Sequence, residues 1–423
     1  MTARRDARGG TLILGGGFAG AYVARLLGRR GATIVSRENF MLYTPLLPEA
    51  ASGTIEPRHA VVPLRQMCPH ADLVLGTVTT LDEGERVVSV ETDAGPIEVG
   101  WERVVVALGA VSRTVPVPGL EDHALGFKDL AEAIGLRNHV LRRLEAADVA
   151  PTAEAARREL TFVFVGAGYA GVEALAELAD LVEDALRYYP NLRATPRRWV
   201  LVDAAERILP DIPSELGRYA ARQLSRRGVE LRTGTTLTEV TATGVVLSDG
   251  DDIASGTVVW TAGVKPSPLP RAWGLPVDSR GHVRVSPELR VEGCEHVWAL
   301  GDCAAVPNAA TPGQDDPPTC QHALRQARRL VRNLATDGRP PSPYRYRMLG
   351  QVATLGRYKG IADVLGLKLH GFPGWFVTRT YHLYQLPLLT RKLRVVIDWT
   401  TSLFFRRDLA ELSMLGHPRR LGE

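Results

Sequence analysis

The sequence predicts an α/β fold containing two nucleotide-binding units, on three observations. The first is the run Thr11 to Leu27, where the apolar strand Leu12–Leu14 ends in Gly15-x-Gly17-x-x-Gly20. Ala21, Ala24, Leu26 and Leu27 then lie on one face of a helix. The second is a repeat of that grammar, with a strand over Leu160–Val165, the turn Gly166-Ala167-Gly168-Tyr169-Ala170-Gly171, and a helix over Ala174–Leu186. The third is a set of further short apolar runs that end in small residues: Arg103–Ala110, Gly256–Gly263 and Val297–Cys303. A lone glycine-rich turn has structural explanations. Two, each between a strand and a helix, specify Rossmann-type dinucleotide-binding domains.

Each glycine of the first turn has a task. Gly15 permits the tight bend, Gly17 lets a pyrophosphate approach the backbone, and Gly20 lets helix and strand pack closely. The N–H groups at the helix start, around Phe18 and Ala19, then offer a positive end to phosphate. Ala32–Val35 reads as the next strand. Where such sites place an acid for the ribose, this chain has Ser36, followed by Arg37 and Glu38. Serine still bonds a hydroxyl, and Glu38 is the alternative. Tyr43–Glu49 reads as an irregular loop because of Pro45 and Pro48. Pro45 and Leu46 either line a flavin ring or belong to a packed connector.

Leu73–Val78 and Arg86–Val90 alternate like antiparallel strands. Arg103–Ala110 reads as a buried parallel strand whose small residues, Ala107 and Gly109, let a cofactor lie against the backbone. A helix is expected from about Lys128 to Ala147. In the second unit Trp199–Asp203 ends in the acid that the first lacks, and Asp203 favours a free ribose 2′-hydroxyl, hence NADH over NADPH. Arg197, Arg198 and Arg207 keep NADPH open. Ala262 and Gly263 close a later strand, and Gly301-Asp302 another, placing a carboxylate able to accept from ribitol hydroxyls. Pro317-Pro318-Thr319 opens a helix that runs through Asn333, with the prolines in its first turn.

At 423 residues two or three domains are expected, and 45% hydrophobic with 23% charged residues is the balance of a folded soluble protein. A net charge of +4 is too diffuse to argue for nucleic acid. No run has the length of a membrane span, and Met1–Arg8 lacks the apolar region of a signal peptide, so the cytosol or its membrane face is expected. Cys68, Cys294, Cys303 and Cys320 are scattered, which argues against a structural metal, a disulfide framework and a local redox dithiol.

The order of motifs resembles the two-dinucleotide-binding flavoproteins of the glutathione-reductase-like fold, and within them the type II NADH dehydrogenases. The resemblance is carried by GGGFAG (Gly15–Gly20), TPLL (Thr44–Leu47), GAGYAGVE (Gly166–Glu173), VVWTAGVKPSPL (Val258–Leu269), ALGDCA (Ala299–Ala304) and PPTCQHALRQA (Pro317–Ala327). GFPGW (Gly371–Trp375) and His382-Leu383 complete it. It implies FAD on the first turn, with Asp302 on the ribitol and Cys320, Gln321, His322 and Ala323 against the flavin. It implies NADH on the second turn, held by Gly166, Gly168, Tyr169, Ala170 and Gly171, with Asp203 on the ribose and Glu173 near the nicotinamide. The family's Ala-Gln-x-Ala-x-Gln-Gln pattern is matched at Gln321, Ala323 and Gln326 but departs at Cys320 and Arg325. The implied activity is hydride transfer from NADH to FAD and then delivery of two electrons to a quinone, with Glu173 and Gln321 the candidate catalytic side chains.

The segment from Leu365 to Leu415 mixes Trp375, Phe376, Tyr381, Tyr384, Trp399, Phe404 and Phe405 with Lys368, Arg379, Arg391, Lys392, Arg394, Arg406 and Arg407. Such a mixture suits a surface lying on a membrane, here its cytoplasmic face, and equally a packed lid or a homodimer interface. Trp399, Leu403, Ala410 and Met414 are expected on one helical side. The expected domains are an FAD-binding domain over 1–125 and 271–345, an inserted NADH-binding domain over 126–270, and a C-terminal membrane-association or dimerisation segment over 346–423. Two rival functions stand beside the main one: a soluble NAD(P)H reductase with an iron–sulfur protein or other acceptor, and a non-catalytic nucleotide-binding protein.

Overall fold

The short apolar runs become parallel strands and the segments between them become helices, in a computed structural model that describes residues 3–335 and 340–411. In chain order, the elements that position the candidate sites begin with β1 (Thr11–Leu14), α1 (Phe18–Leu27), β2 (Ala32–Ser36), α2 (Leu47–Ala51), β3 (Ala71–Leu75), β4 (Arg103–Val106) and α3 (Leu130–Asp148). They continue with β5 (Thr161–Val165), α4 (Tyr169–Ala185), β6 (Arg198–Asp203), β7 (Val229–Thr233), β8 (Thr257–Trp260) and β9 (Val297–Ala299). The last are α5 (Cys320–Leu334), β10 (Gly350–Thr354), β11 (Gly360–Val364), β12 (Leu367–Gly371), α6 (Phe372–Gln385) and α7 (Leu389–Phe404).

The chain divides into two units. Met1–Tyr43, Val61–Val111 and Val264–Met348 form one; Thr44–Ala60, Ser112–Gly263 and Leu349–Glu423 form the other. These cuts differ from the expected boundaries, and Thr44–Ala60, expected with the first glycine turn, groups with the second unit. The reason is packing: all five residues of α2 are buried, and the helix rests on α3 and α4.

In the first unit a five-stranded parallel sheet has the order β9-β4-β1-β2-β3, with Leu12 opposite both Thr33 and Val104. Every residue of β1 and β2 is buried, as expected of strands covered on both faces. The chain leaves the middle of this sheet at β1, so the crevice at its carboxyl end receives the first glycine turn. One expectation fails here. Leu73–Val78 is not one antiparallel strand: it breaks at Gly76 into β3, parallel to β2, and Thr77–Asp82, antiparallel to Val87–Thr92. A Cβ on Gly76 would lie 2.4 Å from the Glu91 carbonyl oxygen, so the corner requires glycine.

The second unit has its own parallel sheet, ordered Leu125–Gly126, β8, β5, β6, β7. Phe162 stacks on Trp199 with ring centroids 4.3 Å apart, joining β5 to β6. After Leu349 an antiparallel meander, β10-β11-β12, leads into α6 and α7. Gly374 lets α6 lie directly on β11, because a Cβ there would sit 2.6 Å from the Gly360 carbonyl oxygen.

Three local expectations are corrected. Thr44–Leu46 is a 3-10 turn followed by α2, because Pro45 and Pro48 fall in first-turn positions, where a missing N–H costs nothing. Pro317 and Pro318 precede the α5 cap rather than entering its first turn; Thr319 is the N-cap and accepts from the His322 N–H at 3.3 Å. Helix α7 ends at Phe404, so Trp399 and Leu403 share a helical side but Ala410 lies beyond the helix and does not join them, and Met414 lies outside the described residues.

Candidate functional site

The two glycine turns are built alike. Gly15 and Gly166 have φ of +110° and +109°, and a Cβ on Gly20 or Gly171 would lie within 1.9 Å or 1.8 Å of the Gly15 or Gly166 carbonyl oxygen. The middle glycines are different. A Cβ on Gly17 or Gly168 would meet no atom within 4 Å, so space lies open over both turns. Neither α1 nor α4 has a side-chain cap, whereas α3 has a full capping box from Asp129 and Glu132, and α5 is capped by Thr319. Each uncapped first turn presents N–H groups to that space, at the positive end of the helix dipole. Two anion cradles of dinucleotide type are therefore present, one per unit, and FAD and NADH fit them.

In the first unit the turn gathers most of its expected partners. Ala107 lies beside it, donating its N–H to the Leu14 carbonyl at 2.8 Å. Phe18 packs on Tyr43 with ring centroids 5.5 Å apart. Gly301 stands against Ala19 and Ala323, whose Cβ atoms would be 3.1 and 3.9 Å from a Cβ placed on it, and its N–H is held by Gln326 Oε1 at 2.8 Å. Asp302 follows, half-buried, and Gly109, with φ of +66°, leaves open space on its Cβ side. Ser36 is buried and its Oγ accepts from the Glu38 N–H at 3.3 Å, while Arg37 and Glu38 are exposed.

On α5, Gln321 Oε1 accepts from the Tyr346 hydroxyl at 3.3 Å. His322 faces the core, with Nδ1 2.5 Å from Asp316 Oδ2 and 3.2 Å from the Tyr344 hydroxyl. Burial would raise the Asp316 carboxyl, but the hydrogen bond and charge of His322 outweigh it and hold it below the usual carboxylate range. Arg325 lies 4.7 Å over the Tyr346 ring and donates to the Gln321 carbonyl at 3.3 Å. Burial pushes the Cys320 thiol up to about 11, which disfavours a thiolate at neutral pH. Cys320→Ser is expected to keep full activity in steady-state turnover. Loss of more than about tenfold, ~1.4 kcal/mol of barrier, would restore the thiol as a participant.

In the second unit Asp203 closes the turn. Its Oδ2 accepts from the Ala167 N–H at 2.5 Å and its Oδ1 from the Ala205 N–H at 2.7 Å. The nearby arginines are engaged elsewhere: Arg197 with Glu183 at 2.8 Å, Arg198 with Glu230 at 3.0 Å, and Arg207 with the carbonyls of Pro210 and Ile212. Ala170 and Gly263 are exposed and Tyr169 and Ala262 half-buried around the same turn. Pro45 and Leu46 belong to this unit, Pro45 half-buried and Leu46 buried.

Glu173 lies in the second turn of α4, too far along to serve as a dipole cap. Its Oε1 accepts from the Thr354 N–H at 2.8 Å and from the Thr354 hydroxyl at 3.3 Å. Burial pushes its carboxyl up to about 8, opposed by the Thr354 bonds and aided by the Glu49 and Glu177 charges. A carboxyl raised in the folded state binds its proton more tightly there than in the unfolded chain. The resulting stability penalty is therefore absent below the unfolded value near 4 and complete above about 8. Glu173→Gln is expected to leave the melting temperature unchanged at low pH and to raise it above about pH 8, by roughly 2–4 °C per kcal/mol recovered. Calorimetry across that range checks the sign.

The C-terminal cations and aromatics split into two groups. Trp375, Trp399 and Arg379 are buried, and Arg379 reaches Glu49 Oε1 at 3.1 Å while Trp399 Nε1 reaches Glu49 Oε2 at 2.5 Å. Arg407 pairs with Glu177 Oε2 at 2.9 Å. These are interior groups, placed as the packed-lid alternative expects and not on an outer surface. Phe376, Tyr384, Leu389, Leu393, Ile397, Phe404 and Phe405 remain exposed. Sequence reasoning missed Glu49, Glu177 and Thr354. The signal available was Glu173-x3-Glu177-x2-Asp180-x3-Asp184, an acidic stripe on a mostly apolar helix.

Residues 10–327 match the family model described as pyridine nucleotide-disulphide oxidoreductase. Among curated relatives, a demethylphylloquinone reductase of Synechocystis is 31% identical over 412 residues, covering 94% of this chain and 96% of the relative. A type II NADH:quinone oxidoreductase of Mycobacterium tuberculosis is 29% identical over 425 residues, covering 96% and 90%. The solved structure of NDH2 from Plasmodium falciparum in complex with NADH superposes with a TM-score of 0.88 over 97% of this chain and 100% of that one. At 18% identity that likeness speaks for the fold alone, and the expected α/β class with two dinucleotide-binding domains is borne out. The chain belongs to the pyridine nucleotide-disulphide oxidoreductase family, among its type II NADH dehydrogenases.

Proposed function

We infer that the protein is an FAD-dependent NADH dehydrogenase that delivers two electrons to a quinone. The observation that carries the reading is the pair of uncapped helix starts over open glycine turns, one in each unit. The names of the relatives, NADH:quinone oxidoreductase and demethylphylloquinone reductase, support the quinone as acceptor. FAD, when bound, supplies the two-electron chemistry that links a nicotinamide to a quinone.

The residues of the chain bind and orient. The N–H groups of Phe18, Ala19 and Gly20 receive the FAD pyrophosphate over Gly15 and Gly17, with Ser36 or Glu38 on the adenosine ribose, Asp302 on the ribitol, and Ala107, Gly109, Gln321 and Ala323 lining the flavin end. Tyr169, Ala170 and Gly171 do the same for NADH over Gly166 and Gly168, with Ala262 and Gly263 beside them. Asp203 takes the ribose hydroxyl. Engagement of Arg197, Arg198 and Arg207 with other groups favours NADH over NADPH, since none is left to receive a 2′-phosphate. Glu173 holds a proton on Oε2, the oxygen not bonded to Thr354.

Among the described residues no helix is long and apolar enough to cross a membrane. The exposed side chains of α6 and α7, above all Phe376, Leu389, Leu393, Ile397 and Phe404, support attachment to the cytoplasmic face of a membrane, where a lipid-soluble quinone is met. A homodimer would use the same face. The test is spectroscopic: a purified protein with flavin absorbance that bleaches anaerobically with NADH and recovers with a short-chain quinone. A colourless chain that does not take up FAD would overturn the reading.

A further inference from the structure

Helix α4 carries Glu173, Glu177, Asp180 and Asp184 at spacings that place them along one stripe. The C-terminal part of the second unit meets all four. Thr354 bonds Glu173; Arg407 bonds Glu177 at 2.9 Å and Asp184 Oδ2 at 3.2 Å; the Arg357 N–H bonds Asp180 Oδ2 at 2.7 Å. Arg227, at the end of the helix before β7, also pairs with Asp180, at 2.5 Å. From α2, Glu49 adds a further buried carboxyl beside Glu173 and Glu177.

Three neighbouring carboxyls in a dry interior cannot all ionise, because each buried anion opposes the next. The cations are shared unevenly among them. Glu177 is 1% exposed and receives Arg407 together with the hydroxyls of Ser52 and Thr54, at 2.9 and 3.2 Å. Burial would raise it, yet the Arg407 and Arg379 charges win and hold it below the usual carboxylate range. Burial raises Glu49 in spite of Arg379. Among the described residues Glu173 has no cation paired with it; Thr354 bonds it, and Tyr169 lies near it on its own helix. From α3, Arg137 fixes the tail that brings Arg407 in, by donating to the carbonyls of Asp408 and of Ala410, the latter at 2.8 Å.

We propose that Arg407 is a positioning residue for Glu173: by keeping Glu177 ionised, it selects Glu173 as the carboxyl that carries an exchangeable proton. The proposal rests on the reading of Glu173 as the functional acid of the NADH site. It also gives the stretch after α7 a part in the reaction, although none of its side chains need touch a substrate.

Infrared spectroscopy of the resting holoenzyme counts protonated carboxyls without turnover. At a pH below the Glu173 ionisation of either protein, R407Q is expected to show one more than wild type, as Glu177 takes a proton in place of its lost cation. The additional band should be absent in R407Q/E177Q and in R407K, which keeps the charge. In the pH profile of kcat, R407Q and R407Q/E177Q should share an ionisation shifted to lower pH, because both lack the Glu177 charge that opposes ionisation of Glu173. A purely structural role would lower the amplitude and leave the ionisation in place. A wild-type carboxyl count in R407Q, or an extra band that survives E177Q, overturns the part given to Arg407. Unchanged NADH kinetics in E173Q would instead remove the reading on which it rests.

Discussion

Gly20→Val is expected to yield a protein that no longer retains FAD, with the affinity reduced by at least about tenfold, ~1.4 kcal/mol. The first atom of any side chain there would lie 1.9 Å from the Gly15 carbonyl oxygen, and both partners are backbone. Neither can yield as a flexible side chain would. The Gly15 N–H is bonded to the Val35 carbonyl at 2.8 Å, and a Cβ on Gly15 would itself lie 2.3 Å from the Ala107 oxygen, so the turn is wedged between β2 and β4. Relief requires α1 to move away from β1, at the ~1–3 kcal/mol typical of overpacking, and this swings its free N–H groups off the phosphate position. Gly17→Ala separates binding from packing. Gly17 has an extended backbone that alanine adopts, and its Cβ meets no atom within 4 Å. Its stability should therefore be that of wild type while FAD binding weakens, because the new methyl occupies the space over the turn. Flavin-to-protein absorbance after desalting, beside a thermal melt, measures both effects. Wild-type FAD retention in Gly17→Ala would mean that the dinucleotide does not pass over this turn.

What could be read from the sequence is what backbone geometry demands of particular residues. Gly15, Gly20, Gly166 and Gly171 stand where a Cβ would strike a carbonyl, so their spacing is a direct imprint of the fold. Asp203 was legible for a similar reason: a carboxylate at a strand end is placed by the strand, whatever lies between it and its turn. Asp203 reaches the Ala167 N–H, 36 positions before it. The carboxylate network around α4 was not legible. Arg379 and Arg407 sit among exposed aromatics and read as surface cations; only the fold brings them to Glu49 and Glu177, 330 and 230 positions away. Thr354 is an unremarked threonine until α4 places Glu173 beside its N–H, 181 positions away. For the same reason the packing of α2 was not legible, since Pro45 and Pro48 mark a loop locally while Glu49 ties that segment to α6 and α7.

The same network sets the largest expected loss of stability. Arg379 is 9% exposed, lies 4.3 Å from the Trp375 ring and 4.8 Å from that of Trp399, and donates to Glu49, itself 4% exposed. Arg379→Ala removes the only cation paired with Glu49 among the described residues and leaves the Trp399 N–H as its one side-chain donor. Orphaning a buried charge in this way costs about 3–5 kcal/mol. The loss should depend on pH with a definite sign. Burial already raises Glu49 in the intact protein, and without Arg379 it rises further, so the folded state holds its proton more tightly than the unfolded chain does. The penalty is then complete above the raised folded value and disappears as pH falls towards the unfolded value near 4. Denaturant unfolding at about pH 9 and about pH 5 should show the larger deficit at the alkaline end. Glu49→Gln combined with Arg379→Met removes both charges while keeping much of the volume between the two tryptophans, and is expected to recover most of the loss at alkaline pH. If Arg379→Ala were equally destabilised at both pH values, and the double substitution no better, the deficit would come from lost packing against Trp375 and Trp399, and Glu49 would not be carrying an uncompensated charge.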